Sequence, residues 1–232
     1  MLQHPVNKKF NFSDINMPKI FTTDLDKSKR NKNFIVHEFF YSKSCNKNNT
    51  SFPKISYQFK NSPFGETLIM KNEIGLCGLA FCDYFGKDMV LADMKLRWPN
   101  ANYNEDTIFS DREFKSILDQ TKEVKLCLIG SKLQIQVWKA LLKIPPGKVI
   151  SYMTLAKYIG KPKAVRSIAT AIGQNPLCWL IPCHRVLRAS GELGGYHWGL
   201  NIKRKMLIFE SQTKKKSNAE LRFLRTLSVK SA

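Results

Sequence analysis

Tyr152-Met-Thr-Leu-Ala-Lys-Tyr-Ile-Gly160-Lys-Pro162-Lys-Ala-Val-Arg166-Ser-Ile-Ala-Thr-Ala-Ile172-Gly-Gln-Asn175-Pro176 holds two short helical patterns separated by a tight connection. Apolar residues recur at helical spacing from Met153 to Ile159 and again from Val165 to Ile172, the repeat of a helix with one buried face. Gly160-Lys161-Pro162 separates the two. Pro162 suits the opening turn of the second helix, where a missing N–H has no helical partner to lose, and Asn175-Pro176 stops that helix. Two helices so joined fit a helix-turn-helix, and on pattern alone they fit equally well an αα-hairpin that only builds core. The same spacing runs from Leu133 to Leu142, ended by Pro145-Pro146-Gly147, and returns from about Asn201 to Phe209. Residues 129–213 are therefore expected to form an all-helical domain.

Upstream the period changes from helical to extended. Ile55–Phe59, Glu66–Met70 and Leu76–Phe81 are short strand-like runs separated by Asn61-Ser-Pro-Phe-Gly65 and Lys71-Asn-Glu-Ile-Gly75, and turn chemistry between such runs predicts an antiparallel meander. Met89 to Trp98 and Ser110 to Gln120 follow as helices, the second with Ser110 as N-cap. Residues 54–128 thus make a small α/β domain, and the fold class expected for the whole is α+β. Residues 1–53 show no sustained period and are expected to be a loosely packed extension. Residues 214–232, opening with Lys214-Lys215-Lys216, are expected to be a basic tail.

Lys plus Arg number 38 against 18 for Asp plus Glu, a net charge of +20 over 232 residues. So basic a chain calls for a polyanionic partner, with nucleic acid first and an anionic membrane surface second. Six cysteines, Cys45, Cys77, Cys82, Cys127, Cys178 and Cys183, make no C-x-x-C pair, so no structural metal is expected. The first residues carry no secretory pattern, and no run reaches the roughly 18 to 20 apolar residues of a membrane span. The expectation is a cytoplasmic protein, without membrane association, whose thiols stay reduced.

Ile181-Pro-Cys-His-Arg-Val186 carries the chemistry. A thiol becomes nucleophilic as its thiolate, and a nearby imidazole or guanidinium favours that form. A Cys-His dipeptide by itself is more often packing than catalysis. The complete string, however, resembles the active-site signature of the O6-alkylguanine-DNA alkyltransferases. Gln136-Val-Trp138, Ile150-Ser-Tyr152, Leu155-Ala156, Lys163-Ala-Val-Arg166, Asn175-Pro176, Gly195-Tyr196 and Trp198-Gly199 stand in that family's order and spacing. The resemblance covers about residues 133–210, is closest in character to the bacterial adaptive-response type, and extends to 54–128 only in general character.

The resemblance implies a ribonuclease H-like N-terminal domain followed by a winged-helix-like catalytic domain. It implies stoichiometric transfer of a methyl or small alkyl group from O6-alkylguanine, and from O4-methylthymine, to Cys183, with irreversible self-inactivation and no cofactor. Cys183 is then the nucleophile. His184 takes its proton through a water, Glu210 orients the imidazole, Tyr152 protonates the leaving base, and Asn175 fixes the loop that bears the thiol. The lesion must leave the base stack to reach the sulfur. Arg166 fills the gap, Ala169 and Thr170 allow close approach to the minor groove, Tyr152 also meets the DNA, and Tyr196, Trp198 and Val186 wall the pocket. The implied partner is double-stranded DNA, bound by a monomer.

His197-Trp198 departs from members with small residues there. A bulky indole at the pocket rim implies methyl preferred over benzyl. The four-cysteine zinc domain of the adaptive-response proteins is not implied, since residues 1–53 hold only Cys45. Two rivals stay open at this point: a helix-turn-helix regulator or non-catalytic lesion sensor, which would not need Cys183, and a cysteine hydrolase using Cys183 with His184.

Overall fold

The computed structural model describes residues 34–40 and 53–212; the expected basic tail and most of the expected extension lie outside them. The meander forms as β2 (Lys54–Ser62), β3 (Gly65–Lys71) and β4 (Leu76–Phe81), with antiparallel registers such as Phe59↔Leu68 and Ile69↔Leu79. Its first turn depends on Gly65, whose φ of 122° suits glycine and whose missing Cβ would lie 2.2 Å from the Asp83 carboxylate. That carboxylate accepts the Glu66 N–H at 3.0 Å.

Three further strands turn the meander into a six-stranded mixed sheet. β1 (Phe34–Phe40), β5 (Asn102–Glu105) and β6 (Val124–Gly130) all join it by parallel pairing, giving the order β1-β6-β4-β3-β2-β5. β1 corrects the expectation that residues 1–53 form only a loose extension. Its sequence, Phe-Ile-Val-His-Glu-Phe-Phe, puts apolar residues on both faces, and Ile35 and Phe39 remain exposed on the edge strand. No hydrophobic alternation was there to read.

α1 (Lys87–Lys95) and α2 (Asp111–Leu118) belong to the sheet half. Ser110 caps α2 in a capping box with Glu113, each side chain bonding the other's backbone N–H. In the second half α3 (Lys132–Leu141) has the same device from Ser131 and Gln134, and Ser151 caps α4 (Tyr152–Tyr158). A 3-10 turn over Pro162–Ala164 leads into α5 (Val165–Gly173), and α6 covers 200–212. The buried Trp138 indole N–H donates to Ala171 O at 2.8 Å, tying α3 to α5. This half is not all-helical. β7 (Ile150–Ser151) pairs in parallel with β8 (Val186–Leu187), each too short to show a period.

One continuous apolar core joins the two halves. Backbone bonds cross between them as well: Leu79 N–H donates to Pro176 O at 2.8 Å and Cys178 N–H donates to Leu79 O at 2.9 Å. β4 therefore holds the segment that leads to Cys183. Among the described residues no helix is long and apolar enough to cross a membrane.

Candidate active site

After α5 the chain passes through a fully buried Asn175. Its side-chain N–H donates to Ile181 O at 2.8 Å, and its Oδ1 accepts the Leu177 N–H at 3.0 Å. One side chain thus bonds both ends of the 177–181 loop. The loop delivers a 3-10 turn, Cys183–Arg185, in which all three residues are buried.

Cys183 Sγ lies 3.9 Å from Cys178 Sγ and 3.7 Å from the Tyr196 hydroxyl. Burial alone would raise this thiol's pKa. Hydrogen bonding with Cys178, the charge of His184 and hydrogen bonds from Asn175 and Tyr196 outweigh it and bring the value from 9.0 down to about 6. Cys178 moves the other way, pushed up by burial and by Cys183. Of the pair, Cys183 holds the anion.

His184 is completely buried, with Nε2 at 3.0 Å from Glu210 Oε1. Its ring stacks on Trp179, with centroids 5.4 Å apart and planes 15° from parallel. Nδ1 has no hydrogen-bond partner among the described residues, so it is the ring nitrogen left to exchange a proton. Glu210, which a sequence pattern alone would place on an exposed helix end, is 6% exposed. It accepts from Arg185 Nε at 2.9 and 3.1 Å, from Arg185 Nη2, and from Gly147 N–H at 3.0 Å. Burial raises its pKa, but His184 and Arg185 overcome this and hold the carboxyl well below the usual range. A buried carboxylate flanked by imidazole and guanidinium is stable only because every charge has a partner.

Arg185 stands two residues after the thiol, but adjacency in the chain does not give contact. The structure turns it instead onto Glu210 and Ile144 O. Lys203 belongs to no sequence motif. It is 1% exposed, and its Nζ donates to Val186 O at 2.8 Å and to Leu193 O, with Gly195 O at 3.5 Å. Burial pushes this ammonium down to about 8, against an opposing effect of Cys183. The sequence signal was its place between Ile202 and Met206 on the buried face of α6.

A cavity of about 710 Å³ opens beside the thiol, lined by Tyr152, Ala169, Thr170, Cys178, Cys183, Tyr196 and Trp198. Tyr152, at the start of α4, keeps its proton more tightly than an ordinary phenol, through burial first and the charge of Cys183 second. Arg166 stands exposed on α5, where its carbonyl accepts from Thr170 Oγ1 at 3.2 Å.

Two expected pocket residues sit differently. Trp198 is buried, not at a rim, and its indole N–H donates to Cys178 Sγ at 3.1 Å, so it forms the wall behind the thiols. Val186 lies in β8, packs into the core and does not line the cavity; its carbonyl receives Lys203. The sheet half also contributes. Asp93, Leu96 and Arg97 of α1 and the residues just after it line the same cavity, and His197 Nε2 meets Asp93 Oδ1 at 3.1 Å. Burial would raise Asp93, but His197 and Arg97 together lower it to about 2. Reading the halves apart hid this wall.

Residues 132–212 match the family model for the 6-O-methylguanine DNA methyltransferase DNA-binding domain. "Regulatory protein ada" of Salmonella typhimurium is 38% identical over 164 residues, covering 68% of this chain and 46% of that protein, so the chain spans about half that relative's length. A "Methylated-DNA--protein-cysteine methyltransferase" of Methanosarcina barkeri is 36% identical over 155 residues, 66% of this chain and 96% of the relative. The crystal structure of Mycobacterium tuberculosis OGT in complex with DNA superposes with a TM-score of 0.55 at 31% identity, over 68% of this chain and 93% of that one. With the Methanosarcina barkeri relative matched almost end to end and residues 132–212 matched by the family model, the chain belongs to the 6-O-methylguanine DNA methyltransferase family.

Proposed function

We propose that this chain repairs double-stranded DNA by moving a methyl or small alkyl group from O6-alkylguanine, and from O4-methylthymine, onto Cys183, one event per molecule. The observation that carries this is a buried thiol at the wall of a cavity, followed in the chain by an imidazole that pairs with the Glu210 carboxylate, which Arg185 in turn holds in place.

His184 Nδ1 takes the thiol proton, directly or through a bridging water, and the imidazolium so formed is stabilised by Glu210. The thiolate attacks the alkyl carbon in line. The S–C bond forms, the C–O6 bond breaks, and the electron pair passes to the purine. Tyr152 supplies the proton the leaving base needs, which its raised pKa keeps available. The product thioether has no easy route back to thiolate. Buried sulfur and stacked base cannot meet, so the nucleotide turns into the cavity while Arg166 on exposed α5 takes its place in the stack and small Ala169 and Thr170 let the helix approach the minor groove. The same reading divides the chain near residue 128 into a ribonuclease H-like domain and a winged-helix-like domain, acting as a monomer.

The test is to incubate the chain with a duplex bearing O6-methylguanine and map the tryptic peptide 167–185 by mass. Repair adds one methylene unit to Cys183. A cysteine hydrolase would leave the peptide unchanged while cleaving an ester or amide, and a lesion sensor would bind the duplex and leave both partners unchanged.

A further inference from the structure

Two thiols face the cavity, and the proposed alkyl transfer uses one of them. Cys178 is tied to β4 through its N–H, and a bridge between Cys178 and Ile181 folds the chain back on itself, so residues five apart bring their sulfurs within 3.9 Å. Both line the cavity. The Trp198 indole N–H fixes Cys178 Sγ from behind at 3.1 Å, leaving the neighbouring sulfur in front of it.

We propose that Cys178 and Cys183 form an oxidative modification site, closed to a disulfide by a peroxide entering the cavity and reopened by a thiol reductant. This rests on Cys183 being the reactive thiolate, as read above, but not on its accepting an alkyl group. The Cys183 thiolate attacks one peroxide oxygen and the O–O bond breaks; sulfur is oxidised to sulfenic acid, and the departing oxygen takes a proton as water or alcohol. Cys178 then attacks the sulfenic sulfur, the S–O bond breaks, and the hydroxide leaves as water with the Cys178 proton. A disulfide needs about 2.05 Å between sulfurs, so closure brings the two sulfurs together from 3.9 Å. Without a resolving partner a sulfenic acid proceeds to sulfinic acid, which reductants do not reverse. Cys178 thus converts irreversible loss of the acceptor into a recoverable pause.

The experiment treats the full chain with hydrogen peroxide in the absence of DNA, blocks free thiols and maps peptide 167–185, which contains both cysteines. The expected product has lost two hydrogens, takes up no blocking reagent, and regains its alkyl-acceptor capacity after dithiothreitol. Cys178→Ser, compared with its own untreated sample, should gain two oxygens on Cys183 and show about tenfold less recoverable capacity. Sulfinic Cys183 in the natural chain with no internal link would overturn the proposal, whatever the variant does. A chain that forms the link but never accepts alkyl would sink the repair reading alone; one that accepts alkyl but never forms the link would sink only this inference.

Discussion

Strand β4 is buried along its whole length and built from apolar and small residues, whereas the equally buried turn Cys183–Arg185 carries a thiol, an imidazole and a guanidinium. The two are joined through Leu79 and the 176–178 backbone. Burying apolar surface stabilises by about 25 cal/mol per Å². Burying charges costs desolvation that excellent partners only offset. The sheet therefore supplies rigidity, while the buried charges of the turn depend on their partners and on the strand that holds them in place.

Glu210→Gln should break this contrast most severely. It leaves Arg185 buried without its carboxylate, and removal of one partner from such a pair costs about 3–5 kcal/mol; alkyl uptake falls with it. Leu68→Ala, in the core of β3, should cost a similar about 2–5 kcal/mol yet leave the uptake rate of folded protein unchanged. Denaturant unfolding and single-turnover rates on both variants check this, and equal loss of rate in both would erase the distinction.

The pH dependence sharpens it. Cys183 is depressed from 9.0 to about 6, so thiolate dominates above that value. The uptake rate should be flat at neutral pH and fall about tenfold for each unit below about 6. A depressed group contributes stability that is present above its unfolded pKa and lost as pH falls through its folded one. Glu210, depressed from 4.5, therefore makes the site acid-labile below that point, which pH-dependent unfolding should register. A rate that rises only towards pH 9 would mean an ordinary thiol.

Trp198→Gly removes the wall behind the thiols, and benzyl transfer should rise about tenfold relative to methyl, measured by competition between the two lesions. Equal inactivation by both lesions in the natural chain would remove the wall argument. The smallest effect on the fold is expected from Arg166→Ala. Its site is exposed, so stability should stay within about 0.5 kcal/mol while uptake from duplex DNA slows several-fold and uptake from the free modified base does not.

Helices α3, α4 and α5 were legible because one apolar face gives a period, and the meander because turn segments separate its short strand-like runs. β1, β5 and β6 were not: parallel partners lie far away in the chain, β6 is buried through most of its length, and β1 is apolar on both faces. Cys183 and His184 stood out as a string. Glu210 has no local mark, since only the fold brings it 26 residues back to His184, and it was found by resemblance. Arg185's turn to Glu210, Lys203 on its three carbonyls, Cys178 behind the thiol and the α1 wall all depend on contacts between segments that no spacing encodes. Trp198 was identified as a pocket residue but on the wrong side of it, because side-chain bulk says nothing about direction.

The central claim is that one buried anionic sulfur accepts the lesion and is consumed. The direct measurement mixes the chain with excess O6-methylguanine duplex and follows lesion and protein together, with Cys183→Ala as control. Lesion loss should stop at one equivalent per chain, matched by one methylene unit on peptide 167–185, and the control should show neither. Continued turnover, or lesion loss with Cys183 unmodified, would contradict it.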